Sequence, residues 1–240
     1  MHTYFSLKNC FILCGFAGIS FTEVQPGYRH DDIFLYIDHS LPANVRLART
    51  FECFSPLEEH AVYSISICAD IPDDNDPDRV YYKKEPGHVF LILQKSDSLS
   101  DNKIITVVFG FYPRRPVSSV VFKSVRCDIL DNSKRRYNAG LTRQISVAEF
   151  RIVLRKAENL AKKKYNLNRY NCYDYAVDVF NALPGIEKLP LTHVRFPFIF
   201  GRGGSPCGLY RDLEKLKTRG SVWAPAIQFG DLRAPASYRN

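Results

Sequence analysis

Arg169-Tyr170-Asn171-Cys172-Tyr173-Asp174-Tyr175-Ala176-Val177-Asp178-Val179-Phe180 is the stretch on which the reading of this chain turns. Asn171 is a strong helix N-cap, because its side-chain oxygen can accept from the unpaired backbone N–H groups of a first turn. Ala176, Val179, Phe180 and Leu183 recur at helical spacing and Pro184-Gly185 ends the run, so the pattern predicts a helix over 172–182. Cys172 falls in its first turn, where the helix dipole and free amides favour a thiolate. A thiol so placed can be a nucleophile, and it needs a base. The candidate is His88, in Glu85-Pro86-Gly87-His88-Val89-Phe90-Leu91-Ile92-Leu93, at the mouth of an apolar strand.

The surroundings of both residues read as sheet and helix. Residues 89–93 are apolar at every position, which suits a central strand covered on both faces. After a polar turn at 96–102, residues 104–112 form a β-rich run that predicts the hairpin partner of that strand. Pro113-Arg114-Arg115-Pro116 breaks it; residues 117–130 supply a third strand and Asp131-Asn132-Ser133 a turn. Upstream, 33–37 reads as a short strand, and 61–71 alternates with Tyr63, Ile65 and Ile67 on one face and Ser64, Ser66 and Cys68 on the other. Ser146-Val147-Ala148-Glu149 is a capping box that opens a helix over 147–164. Its apolar stripe is Phe150, Val153, Leu154, Ala157, Leu160 and Ala161, and the lysines at its end suit the helix dipole without any ligand. Past Pro184 the chain is loop-rich, with a short helix over 209–216; Gly201-Arg202-Gly203-Gly204 lacks the Lys-Ser/Thr pair of a phosphate-binding loop.

Composition bounds the partners. The chain has 240 residues, 45% hydrophobic and 24% charged, enough for one domain with a substantial core. Its net charge of +8 favours an anionic partner, whether nucleic acid, a membrane surface or an acidic wall polymer. Basic and acidic residues are interspersed and no nucleic-acid module is recognisable, so nucleic acid is not the expected partner. The seven cysteines include no C-x-x-C pair, which argues against a zinc ribbon. Asp74, Asp76 and Asp78 alternate as in a calcium loop but lack its turn Gly and closing Glu. The expectation is therefore no metal and no cofactor. Residues 11–19 form an apolar run behind Lys8, so the segment 1–27 reads either as a cleaved secretory signal or as an ordinary buried strand. It is too short to span a bilayer, and no other stretch is a transmembrane candidate. Residues 28–240 are then a single domain.

A cysteine at a helix start is, alone, more often packing than chemistry, and so is a lone histidine before a strand. Their order carries more. Strand with His, hairpin, long helix, then Asn–Cys–helix resembles the circularly permuted members of the NlpC/P60 superfamily, the papain-like cysteine hydrolases that include the lecithin retinol acyltransferase-like group. The matching residues are Gly87-His88-Val89-Phe90, Gly110-Phe111-Tyr112-Pro113 and Asn171-Cys172-Tyr173-Asp174-Tyr175-Ala176. Gly203-Gly204-Ser205-Pro206, with Leu209 and Asp212 behind it, is similar to a recurring tail of bacterial relatives. The resemblance spans roughly residues 85–215.

The resemblance implies an α+β, papain-like fold: an antiparallel sheet from residues 31–130 packed against the two helices. It implies Cys172 as nucleophile and His88 as base, with the oxyanion met by amides of the helix start, where Asn171 and Tyr173 give support. The family's third, imidazole-orienting polar residue usually lies on the strand after the His, which makes Tyr112 the candidate here. No His, Asn or Gln stands there, and a backbone carbonyl or a water could fill that role instead. The implied activity is cleavage of an amide through an acyl-enzyme, with peptidoglycan stem peptides as substrate and the bacterial envelope or the exterior as location. Two rivals keep the same scaffold: an acyltransferase or thioesterase using the same dyad, and a binding module without catalysis.

Overall fold

The structure, a computed structural model, describes residues 40–83, 85–96, 104–114, 123–185, 187–196 and 201–239. The signal-like segment 1–27, the strand expected over 33–37, most of the turn at 96–102 and the start of the strand expected over 117–130 lie outside them.

The elements run α1 (Ala43–Phe51), β1 (Val62–Asp70), β2 (His88–Ser96), β3 (Ile104–Pro113), β4 (Cys127–Asp131) and β5 (Arg136–Ile145). Then follow α2 (Val147–Leu160), α3 (Cys172–Phe180), β6 (His193–Arg195), β7 (Arg202–Gly204), α4 (Pro206–Thr218), β8 (Ile227–Arg233) and β9 (Tyr238–Arg239). The main sheet is antiparallel in the order β4-β3-β2-β1-β5-β8, with β9 also on β3, and β6 and β7 make a separate ribbon. The fold class is α+β.

Alternation decides what each strand buries. Tyr63, Ile65, Ile67 and Ala69 of β1, Val89, Leu91 and Leu93 of β2, and Val107, Phe109 and Phe111 of β3 all enter the main core with α2 and α3. Each such side chain contributes about 1.5–3 kcal/mol by leaving water. The opposite face holds a smaller cluster of Cys68, Phe90, Ile92, Val108 and Ala234, so β2 is indeed covered on both sides. The predicted capping box of α2 is present: Ser146 Oγ accepts from the Glu149 N–H at 3.2 Å, and the Ser146 N–H donates to Glu149 Oε2 at 2.8 Å. That helix ends at Leu160, earlier than its lysines suggested, because Ala161 caps it with its N–H on Ala157 O. Tyr175 Oη donates to Ala157 O at 3.0 Å and ties α3 to α2.

β5 was not expected, and it decides the shape of the sheet. Residues 132–135 join β4 to β5, which stand four strand positions apart. Strands lie about 4.8 Å apart, so a flat sheet would ask the link to cover about 19 Å. The five residue steps involved reach at most about 18 Å fully extended, and this link contains a turn. The sheet is therefore curled, and residues 132–135 cross the mouth of its concave face, the face that carries His88.

Candidate active site

Cys172 is the first residue of α3, and the cap that the sequence predicts holds it there. Asn171 Oδ1 accepts from the Tyr173 N–H at 2.8 Å, and Asp174 Oδ2 accepts from the Asn171 N–H at 2.9 Å, closing a full capping box that also takes the Asp174 N–H. Asn171 Nδ2 donates to Leu167 O and Gly204 O, both at 2.8 Å. Asn171 is thus wholly occupied as a cap. Tyr173 is a support in the mechanical sense: its Oη accepts from the Thr192 N–H at 2.7 Å and donates to Pro190 O at 3.0 Å. Gly204 lies flat on its ring, where a Cβ would come within 1.9 Å of the ring carbon Cδ1. These contacts seat the β6–β7 ribbon over the start of the helix. Asp174 Oδ1 also lies 3.6 Å from Nε2 of His193 on that ribbon.

His88 opens β2, buried, with Asp70 of β1 as its cross-strand partner. Tyr112 stacks on the imidazole, ring centroids 4.2 Å apart and planes 25° from parallel. Nε2 of His88 and Oδ1 of Asn132 are both buried, and neither has a hydrogen-bond partner of ordinary geometry among the described residues. They converge over Gly110: a Cβ placed there would lie 2.3 Å from each. The Asn132 contact acts on the imidazole as an acceptor does, favouring its protonated form. Asn132 Nδ2 in turn donates to Tyr112 Oη at 2.5 Å.

The orienting role expected of Tyr112 is therefore divided. Tyr112 supplies the ring that fixes the imidazole plane and a hydroxyl that holds Asn132, while Asn132 supplies the polar atom that faces Nε2. The sequence reading gave Asn132 only to a turn. The one local signal was Gly110 in an otherwise β-branched and aromatic run, since glycine inside a strand often marks a close approach.

Cys172 lies beside the start of β2, where Val89, the residue next to His88, bears on its sulfur. The Val89 N–H and the Tyr165 hydroxyl both bear electrostatically on Cys172 Sγ. Burial pushes the Cys172 thiol up from 9.0 to about 11, against the pull of the Val89 N–H. Burial, and after it the Arg135 charge, hold His88 well below 6.5. The helix start thus does not produce a thiolate here. A shift of two units is about 3 kcal/mol, whereas a helix terminus supplies about 0.3–1 kcal/mol in ordinary settings. Burial wins. At neutral pH both groups are held uncharged, Cys172 as a thiol and His88 as a neutral imidazole.

The turn that carries Asn132 is strapped by the C-terminal segment. The Ala234 N–H donates to Arg135 O at 2.8 Å, the Lys134 N–H to Pro235 O at 3.2 Å and the Ser237 N–H to Ser133 Oγ at 2.6 Å. Ser237 Oγ accepts from the Val108 N–H at 2.9 Å and reaches Asp131 Oδ1 at 3.2 Å.

The acidic loop has its carboxylates engaged by the protein. Asp73 pairs with Arg79, Asp74 accepts from Asn138 Nδ2, Asp76 accepts from the Asp78 N–H, and Asp78 pairs with Arg211. Among the described residues no cluster of three or more His, Cys, Asp or Glu could hold a metal ion, and no helix is long and apolar enough to cross a membrane. Cys53, Cys68, Cys127, Cys172 and Cys207 are buried and form no disulfide among the described residues. No family model, curated protein or solved structure matches this chain.

Proposed function

We propose that Cys172, His88 and Asn132 form the nucleophile, base and orienting residue of a thiol-dependent amidase or peptidase, in a permuted, papain-like NlpC/P60 arrangement. The observation that carries this reading is the convergence of His88 Nε2 and Asn132 Oδ1 over Gly110. An acceptor on Nε2 keeps the proton on that nitrogen and leaves the Nδ1 lone pair as the base. Orientation of an imidazole by a third polar group is the logic of nucleophile–base–orienter sites generally.

The reaction begins from the neutral pair. As a substrate carbonyl arrives, His88 takes the Cys172 proton and Sγ adds to the carbonyl carbon. The Cys172 N–H stands in the first turn with no partner among the described residues, and is the donor for the resulting oxyanion. The imidazolium returns its proton to the departing amine and leaves a thioester on Cys172. His88 then deprotonates a water that attacks the thioester, and protonates the sulfur as the acid leaves. On the resemblance alone, peptidoglycan stem peptides remain the leading substrate class, and the envelope or the exterior the place of action.

The test is trapping. The chain is incubated with activated acyl esters and peptide amides, then read by intact mass and peptide mapping. Acyl mass confined to Cys172, absent from Cys172→Ala and lost with His88→Ala, is the expected result. Equal acylation of Cys53, Cys68 and Cys127 would overturn the assignment.

A further inference from the structure

The concave face holds a charged pair that the chemistry above does not use. Arg135 donates to Asp70 Oδ2 through Nε at 2.8 Å and through Nη2 at 2.7 Å. Asp70 is the residue directly across from His88 in the β1–β2 ladder, so both side chains leave the same face of neighbouring strands. Arg135 closes the turn that Asn132 opens: its N–H donates to Asn132 O at 3.1 Å, and Lys134 between them takes φ 61° to make the reversal. One guanidinium therefore clamps the orienting carboxamide's turn to the strand beside the base.

We propose that Arg135, anchored by Asp70, is a positioning residue of this site. It pins the Asn132 turn across the concave face and sets a fixed positive charge beside His88, so that the base meets its substrate neutral. This inference rests on the reading of His88 as the base.

The groups around the imidazole are Asp70, its cross-strand partner on β1, Tyr112 from β3, and Asn132 and Arg135 from the turn; Cys172 of α3 lies at the neighbouring Val89. Glu85, just before β2, acts on both Asp70 and Arg135. Among these it is the guanidinium whose charge bears on the imidazole, in the direction that resists protonation. The same charge bears on Tyr112 and Cys172, favouring their ionised forms. A cation so placed discourages a standing thiolate–imidazolium pair while easing the build-up of negative charge on sulfur during attack. Asp70 fixes the cation's position and offsets part of its field.

Two opposite substitutions test this. Arg135→Gln removes the charge; Asp70→Asn keeps the charge and removes its counter-ion. The readouts are the pH profile of Cys172 acylation by an activated ester and the titration of His88 followed by imidazole nitrogen NMR without substrate. Arg135→Gln is expected to move the acid midpoint upward and Asp70→Asn to move it downward, each on the order of one pH unit; Arg135→Lys should restore the wild-type position. A uniform fall in rate with the midpoint unmoved in both variants would overturn the proposal and leave the pair as scaffolding. Because the NMR titration needs no substrate, it tests Arg135 even if Cys172 proves not to be acylated. Should Arg135→Gln fail to fold, Asp70→Asn decides alone, through the downward shift or its absence.

Discussion

His88 Nε2 and Asn132 Oδ1 lie across the bare α-carbon of Gly110, each within 2.3 Å of the place a methyl group would take. Gly110 sits mid-strand and pairs with Phe90, so it is the missing side chain that matters here and not an unusual backbone. Gly110→Ala should push base and orienter apart. We expect kcat/KM to fall about 100-fold or more, the cost of a misplacement near 1 Å, with the far-UV circular dichroism retained. Full activity in that variant would show that the His88–Asn132 approach is not needed.

Asn132 and Tyr112 should separate in their effects. Asn132→Ala removes the acceptor on Nε2 and is expected to cost about 10²–10⁴-fold in acylation, the usual worth of a positioned base. Tyr112→Phe keeps the stack on the imidazole and loses one hydrogen bond, about 1 kcal/mol, so the loss should stay near tenfold or less. Steady-state rates of the two variants decide it. A Tyr112→Phe loss as large as that of Cys172→Ala would make the hydroxyl itself catalytic.

Alkylation should report a resting thiol. With Cys172 pushed up to about 11, iodoacetamide at mildly acidic pH should label it slowly, whereas an activated ester, which recruits His88, should modify it fast. Peptide mass spectrometry across pH 5–8 separates the two reagents. Rapid alkylation at pH 5 would reveal a standing ion pair.

The imidazole also links stability to pH. Its proton affinity in the fold is depressed, so the unfolded chain binds the proton first as pH falls below about 6.5. Stability is therefore fully present above that value and declines with acid until the folded pKa is passed. Urea midpoints for wild type and His88→Gln, compared at pH 7.5 and 5.5, measure the linkage. Wild type should lose more than the variant, and equal losses would place the acid sensitivity elsewhere.

The Asn171 side chain is engaged on backbone groups as a cap, which makes it a stability element. Asn171→Ala would strip four hydrogen bonds from a buried helix start, those to the Tyr173 and Asp174 N–H groups and to the Leu167 and Gly204 carbonyls. A cap alone is worth about 1 kcal/mol, and the orphaned carbonyls of Leu167 and Gly204 add to it. A fall of about 2–4 kcal/mol in unfolding free energy is expected from denaturant titration. Asn171→Asp keeps the cap oxygen and should recover part of it.

The positions of Cys172 and His88 were legible because local rules place them. Asn171 is a cap whatever follows, and an apolar run with a histidine at its mouth is a central strand whatever surrounds it. Asn132 is a different case. It lies far from His88 in the chain, and its position depends on the curl that brings residues 132–135 across the face of β2. Asp131-Asn132-Ser133 satisfies the description of a solvent turn equally well. β5 hid for a related reason: Arg136-Tyr137-Asn138-Ala139-Gly140-Leu141-Thr142 has few large apolar residues, yet Ala139, Gly140 and Leu141 are buried beside β1. The thiolate expectation failed on magnitude. Position at a helix start is visible in a sequence, but the depth of burial that outweighs it is a property of the packed fold.

The strap formed by Ala234, Pro235 and Ser237 gives residues distant in sequence a hold on the turn that carries Asn132 and Arg135. A protease that trimmed the chain after Arg233 would leave Cys172 and His88 on their own elements and release the turn that aims them. Such a clipped form would still bear Cys172 and His88 on a folded sheet, with the Asn132 turn held by the Arg135–Asp70 pair and by Tyr112. Full-length and clipped molecules would be hard to tell apart by a cysteine titration and easy to tell apart by turnover. The integrity of residues 234–237 therefore belongs among the variables to hold fixed when the proposed chemistry at Cys172 is assayed.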